Sequence, residues 1–314
     1  MAKLIILCGL PGSGKSTYAE NYKAVDDAIC ADYTVIHSSD AIRAELFGDP
    51  SYQGDNTKVF ELMHKRVRED LKAGKTVIYD ATNITRKARR GAINLARDAD
   101  TVECHVIWVD PHVCIARDKQ RKRHVGGDVI EKMLRHWQSP YMDEGFDSVR
   151  VVLNQDDFDC VRYISSMTAN MHIPHDNPHH TLGVWYHCMQ AYHNIEQINT
   201  VNISEKTIEL LKTAAYWHDI GKPWTKGYKT DKETGKMDTS IAHYYDHQCV
   251  GGYLSYGLFL GNQLNAEEAE DICFISWCIS THMDPFFNSH YYRDLDSYLK
   301  ECIDILHTAD LSAH

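Results

Sequence analysis

The sequence predicts an α/β fold with a parallel sheet over its first half and an all-helical second half. Three observations predict it. Short β-rich runs alternate with helical patterns from Met1 to about residue 153, a glycine-rich turn follows the first run, and from Thr181 onward apolar residues recur at helical spacing. The runs are Leu4 to Cys8, Thr34 to His37, Thr76 to Tyr79, His105 to Val109 and Val149 to Leu153. Each is short and apolar enough to be a buried strand. Domains are expected at 1–153 and 172–314. The boundary region is 154–171, because Asn154 to Asp159 is polar and acidic and a segment from Pro174 to Pro178 follows. Within the second part, Thr225 to Asp238 is rich in Lys, Gly, Thr and Asp and is expected to be a loop.

Composition excludes several classes. No apolar run approaches the roughly 18 residues of a membrane span. The run Leu4 to Leu10 is short for a signal peptide and flows into Pro11-Gly12-Ser13-Gly14-Lys15 instead of a cleavage site. The ten cysteines form no C-x-x-C pair. Reduced core residues of a cytoplasmic protein are therefore expected. The net charge of -11 is divided unevenly. Residues 1–150 carry 23 Lys and Arg against 22 Asp and Glu, whereas residues 151–314 carry 10 against 22. The second half also holds 13 of the 19 histidines, which suggests bound cations and argues against a broad grip on duplex nucleic acid.

The turn Gly9-Leu10-Pro11-Gly12-Ser13-Gly14-Lys15-Ser16 fits G-x-x-x-x-G-K-[ST], after a strand and before a helix expected from near Thr17. Backbone N–H groups of Gly12, Ser13, Gly14 and their neighbours, with the helix start at Thr17, would cradle phosphates. Lys15 would neutralise the β and γ oxygens of ATP, and Ser16 would hold Mg2+. Asp40 and Arg43 stand three apart after the second strand, where a carboxylate can take a hydroxyl proton and an arginine can hold phosphate. A capped helix with a local ion pair is the plainer alternative. Asp80 and Asn83 follow the third strand at the same edge, to orient Mg2+ or substrate or simply to shape a turn. Arg117 and Arg121 share a helix face, with Lys122 and Arg123 behind, either to fold over triphosphate or as a solvated basic face. Trp137 and Tyr141 are candidates to stack on a base, or core.

Together these residues resemble the P-loop polynucleotide 5'-kinases of bacteriophage type over about residues 1–153. The resemblance implies Asp40 as general base for a 5'-hydroxyl, Arg43 as a phosphate contact, and Arg117 and Arg121 as lid arginines.

The second half carries another constellation. His218 extends the apolar stripe of Leu211, Ala214 and Ala215 and faces inward, and Asp310 extends that of Leu295, Leu299, Ile303 and Leu306. A buried unpaired carboxylate is costly, and a bound cation would resolve the cost. His247 leads the stripe Gly251, Leu254, Leu258, His282 ends Ile272, Ile275, Ile279, and His187 lies beside Leu182, Tyr186 and Met189. The set resembles the HD phosphohydrolase superfamily over about residues 172–314, which implies an all-α HD domain. His187, then His218-Asp219, then Asp310 would bind a divalent metal, with Lys222 as a phosphate contact. His247 and His282 are second-metal or phosphate-binding candidates, and His243 can substitute for His247 in that mapping. His179 and His180 are expected only to shape the loop. Imidazole and carboxylate donors suit Mn, Fe, Co, Ni or Zn.

A 5'-kinase followed by a metal phosphohydrolase implies a bifunctional enzyme acting on RNA or DNA ends, with a functional link to a ligase. Its kinase half would phosphorylate 5'-hydroxyls, and its HD half would remove 3'-phosphate or 2',3'-cyclic phosphate. One alternative is a small-molecule kinase fused to an HD nucleotidase, which the charge balance favours. A second is an ATP-responsive HD sensor.

Overall fold

The computed structural model describes residues 1–314 apart from 30–32, 53, 122–123, 178–180, 199, 201, 231–234, 261–264 and 314. Lys122, Arg123, Pro178, His179 and His180 thus lie outside the described residues. The chain divides into two compact units, residues 1–133 with 140–156, and residues 134–139 with 157–314.

The first unit is a five-stranded parallel sheet of β1 (Lys3–Cys8), β2 (Thr34–Ser38), β3 (Thr76–Asp80), β4 (Thr101–Trp108) and β5 (Ser148–Leu153), in the order β2-β3-β1-β4-β5. Helices α1 (Lys15–Ile29), α2 (Ser39–Phe47), α3 (Asn56–Lys72), α4 (Arg86–Ile93), α5 (Pro111–Lys119) and α6 (Gly127–Arg135) connect them. The central strand β1 is apolar from Leu4 to Cys8, and all five side chains are buried, as a strand covered on both faces requires. The glycine-rich turn therefore leaves the carboxyl end of the central strand. Ser38 and Asp80 end neighbouring strands in register with each other, so all three segments reach one sheet edge.

Two of these elements start two residues or more from the expectation. α1 begins at Lys15, two residues early, and β4 begins at Thr101 instead of His105. Glu103 masks that strand in the sequence. It is buried because Lys3 lies 3.0 Å from one oxygen and His105 Nε2 2.9 Å from the other. Those contacts, led by the His105 hydrogen bond, pull its carboxyl down to about 2.

Between α4 and β5, Arg89 is fully buried and makes paired bonds of 2.6 and 2.8 Å to Glu144, plus one of 3.0 Å to the Asn83 carbonyl. Removing one partner of such a pair strands a buried charge. We expect Arg89→Ala to destabilise the first unit by about 3–5 kcal/mol, read as a lower urea midpoint; an unchanged midpoint would refute this.

In the second unit, α7 (Cys160–Met171) occupies most of the expected boundary region, because Asp159 caps it at the Arg162 amide and Tyr163, Met167 and Met171 form a buried stripe. It is followed by α8 (Val184–Ile195), α9 (Glu205–Trp217), α10 (Lys222–Thr225), β6 (Gly227–Thr230), β7 (Met237–His243), α11 (His247–Tyr256), α12 (Ala266–Thr281), α13 (Asp284–Phe287), α14 (His290–Asp294) and α15 (Ser297–Leu311). The unit is helical but not all-α. β6 and β7 pair antiparallel and take up parts of the expected loop, with Tyr228 and Thr230 inside it and Thr239 and Ile241 just beyond it as β-forming residues. Trp137 belongs to this unit's core, edge-on to Tyr253 at 4.9 Å and fully buried, so it is no base-stacking platform.

Candidate active sites

The turn between β1 and α1 is held open for phosphate. Gly12 and Gly14 adopt positive φ of 85° and 83°, and a Cβ on Gly12 would come within 2.4 Å of the Cys114 carbonyl. Lys15 folds back, its ammonium donating to the Gly9 and Leu10 carbonyls at 2.8 Å each. Ser16 donates to Asp80 Oδ2 at 2.9 Å. Thr17 is exposed on the first turn of α1. Burial lowers the Lys15 pKa and raises that of Asp80, each against the pull of the other's charge. Each thus feels the other's charge, yet burial outweighs that pull at both. A magnesium–nucleotide complex would supply an anion for Lys15 and a cation for Ser16 and Asp80.

The neighbouring residues divide into those facing this space and those bracing it. Asp40 is more than half exposed and accepts from Arg43 Nη1 at 2.7 Å, while buried Arg43 also donates to Asn56 Oδ1 at 3.1 and 3.3 Å. The charge of Asp40 reaches Asp80, and that of Arg121 reaches Lys15, so both lie close to the cradle. Arg117 instead donates to the Asn154 carbonyl at 3.0 Å, and Asn154 Nδ2 donates to the Ser13 carbonyl at 2.7 Å. Arg117 therefore braces the turn. Asn83 adopts φ 48° and donates to the Leu7 carbonyl at 2.7 Å, pinning the loop after β3 to β1. Asp118, which sequence reasoning passed over, is buried and accepts the Val125 and Gly126 amides at 2.9–3.1 Å, organising the chain after α5.

The second unit gathers its histidines around two carboxylates. His218 and His282 sit one residue past the ends of α9 and α12, and His247 opens α11. Each ring Nδ1 donates to the carbonyl three residues earlier: Ala215 at 2.7 Å, Ile279 at 2.7 Å and Tyr244 at 2.8 Å. His187 Nδ1 donates to the Ala313 carbonyl at 2.7 Å. A carbonyl only accepts, so the proton is on Nδ1 and Nε2 is left to face the site, as in metal-ligating histidines. Gly221 allows this geometry, since a Cβ there would lie 2.1 Å from the His247 carbonyl.

Asp219 is shared between two groups, His187, His218, Asp219 and Asp219, His247, His282, each with ligand atoms within 4.8 Å of one another. Asp310 joins the first, 2.8 Å from His187 Nε2 and 3.3 Å from His218 Nε2. Lys222 is buried, 2.6 Å from Asp219 Oδ2 and donating to His175 Nε2 at 2.9 Å. His175 was not anticipated: the single signal it offered was its place between the two prolines. His243 instead stacks on Tyr245 at the end of β7.

The electrostatics ask for cations here. Both Asp219 oxygens are buried without a well-formed hydrogen bond, the Lys222 contact being an ion pair only. Burial would raise its pKa, but Lys222 and His218 outweigh that and hold it well below the carboxylate range. Burial likewise opposes charge on His218, yet Asp219, Cys188 and Asp310 hold it well above the imidazole range. Burial pushes His247 down to about 4 and His282 to about 3, so both are neutral near pH 7. Their Nε2 atoms nevertheless lie 3.2 Å apart. Two lone pairs hold that separation comfortably only around a cation. The donor set fits one or two divalent metal ions of the kind imidazole and carboxylate bind.

The first unit is thus a P-loop kinase-like α/β domain, a fold that implies binding of ATP and Mg2+. Residues 4–140 match the family model of the AAA domain. Among curated proteins, the transcription factor bHLH140 of Arabidopsis thaliana is 27% identical over 163 residues, covering 50% of this chain and 16% of that protein. The L-seryl-tRNA(Sec) kinase of Methanococcus maripaludis is 26% identical over 144 residues, covering 44% of this chain and 53% of that enzyme. The chain therefore spans about half or less of these relatives. Among solved structures, a chain of a Pnkp1/Rnl/Hen1 complex is 24% identical, with a TM-score of 0.34, covering 50% of this chain and 48% of that one. No described helix is long and apolar enough to cross a membrane.

Proposed function

We propose that the chain is a bifunctional enzyme that heals nucleic-acid ends: an ATP-dependent polynucleotide 5'-kinase joined to an HD-type metal phosphohydrolase that removes 3'-phosphate or 2',3'-cyclic phosphate. The single observation that carries this is that one chain holds both a glycine-rich turn with a buried lysine and a histidine cluster built around a shared carboxylate. In the first, Asp40 takes the proton of the attacking hydroxyl, held in orientation by its bond to Arg43. The oxygen attacks the γ-phosphorus in line, the bond to ADP breaks, and Lys15 with Arg121 stabilises the charge on the transferring group. The 26% likeness to a kinase acting on an aminoacylated RNA supports a hydroxyl acceptor carried by nucleic acid.

In the second site, His187, His218, Asp219 and Asp310 would hold one metal ion, and Asp219, His247 and His282 a second. Bound there, such an ion supplies Lewis acidity and a water of lowered pKa. Lys222 keeps the Asp219 carboxylate ionised and oriented and lies on the wall of the cavity where a phosphate would sit. Product ends of this kind are what a ligase consumes, and a functional link to one is part of the proposal. A small-molecule kinase fused to an HD nucleotidase is the second reading, favoured by the excess of 12 acidic over basic residues after residue 150.

Asp40→Asn tests the kinase half. With an oligonucleotide carrying a 5'-hydroxyl and a 3'-phosphate, we expect 5' phosphorylation to fall about 10²–10⁴-fold, the usual size of general-base catalysis, with ATP binding and 3' hydrolysis retained. Full 5' activity in this variant would remove Asp40 from the mechanism, and wild type that phosphorylates only small acceptors would favour the second reading.

A further inference from the structure

The mouth of the histidine cluster carries a feature that the phosphate chemistry does not use. A cavity of about 510 Å³ runs from Asp219, Lys222 and Asp310 outward to Tyr245, Phe286, Phe287 and Leu311. Phe286 is 66% exposed and Phe287 61%, and Tyr245 and Leu311 are also more than half exposed. Large apolar side chains normally scatter over a surface, so four at one opening mark a contact for an apolar ligand face. The two phenylalanine rings lie 5.2 Å apart and nearly perpendicular. Asn288, at φ 45°, turns the chain directly after them and ends α13. Charge is arranged the other way. Among the described residues lining the cavity, Lys222 is the only Lys or Arg, against Asp219, Asp246 and Asp310.

From this juxtaposition, and resting on the phosphohydrolase reading, we propose that the site takes one nucleoside bearing one phosphate ester. Its base packs on Phe286 and Phe287, its phosphate reaches the Asp219 cluster, and the rest of a strand is left ungripped. A polyanion bound through its backbone would need a row of cations, and the opening offers acids and aromatics instead. A nucleoside has the complementary parts, a flat apolar face and a single anionic group a few bonds away.

The test compares the full-length wild type with the double variant Phe286→Ala, Phe287→Ala, both loaded with Mn2+. Substrates are a nucleoside 3'-monophosphate, a short oligonucleotide ending in the same nucleoside 3'-phosphate, and the base-free ester methyl phosphate. Val161→Ala, exposed on α7, serves as the control expected to match wild type. The preference for nucleoside over base-free ester, read as a ratio of KM values, should fall roughly tenfold in the double variant, the scale of base–aromatic stacking, with kcat near wild type. KM should be alike for mononucleotide and oligonucleotide, with a salt slope no steeper than about 0.7, that of one phosphate. An unchanged ratio, or a much lower and steeply salt-dependent KM for the oligonucleotide, would overturn the proposal. If wild type turns over none of the three esters, the phosphohydrolase reading has failed by itself. Calorimetric binding of the nucleoside monophosphate then decides the subsite: binding weakened roughly tenfold in the double variant upholds it, and equal or absent binding sinks it.

Discussion

Lys15→Ala is expected to reduce 5' phosphorylation by about 10²–10³-fold, the loss that follows removal of one preorganised charge stabiliser, while hydrolysis at the 3' end continues. The argument rests on how Lys15 is held. Its ammonium is already out of water, donating only to the Gly9 and Leu10 carbonyls, and burial has lowered its pKa. A cation kept in so unfavourable a place gains strongly when an anionic phosphate arrives, and that gain is greatest where charge develops during transfer. The same reasoning predicts little loss of stability, since the alanine removes a desolvated charge whose bonds are to loop carbonyls that water can reach once the side chain is gone. A radiolabel transfer assay and a thermal melt check the two halves. Kinase activity within a few-fold of wild type would show that the cradle is not the nucleotide site.

Much of this was legible because the relevant physics is local. The glycine-rich turn, the strand before it and the helix after it lie within about 25 consecutive residues, and β1 is apolar without interruption from Leu4 to Cys8. His218, His247 and His282 were legible as inward-facing because each continues a helical apolar stripe, and their tautomers are set by a carbonyl three residues away. What stayed hidden depends on partners distant in sequence. Arg89 reads as a surface residue until Glu144, 55 positions on, is placed against it. Asn83 reads as turn chemistry until its amide reaches Leu7. Arg117 reads as a lid residue, yet Asn154 draws it into bracing the turn. His175 lies on an irregular segment with no period to betray its direction, and only its partners Lys222, Asp219 and His187, all more than ten residues away, show what it faces. The hairpin of β6 and β7 was concealed by composition, because its Lys, Gly and Asp content is that of a loop while its alternation is that of a strand.

Asp219→Ala should have the largest effect in the second unit: loss of bound Mn2+ to background by elemental analysis and loss of 3'-end hydrolysis, with 5' phosphorylation unchanged. Asp219 is the one side chain common to both ligand groups, so its removal takes a donor from each at once. It also strands Lys222, a buried ammonium whose short contact to the carboxylate is then gone. Folding of this variant is therefore expected to suffer, and Asp219→Asn, which keeps the shape and removes the charge, separates the causes. If metal binding is what the carboxylate is for, the asparagine variant folds and still fails to hold metal. His175→Ala supplies the contrast, because His175 accepts from Lys222 and stands 3.8 Å from Asp219 Oδ2 but belongs to neither ligand group. It should weaken metal affinity only about 10–100-fold, as loss of an outer partner does. A metal content that survives in both Asp219 variants would mean that Asp219 is no metal ligand and that its carboxylate is held by Lys222 and the imidazoles as a buried ion-pair network.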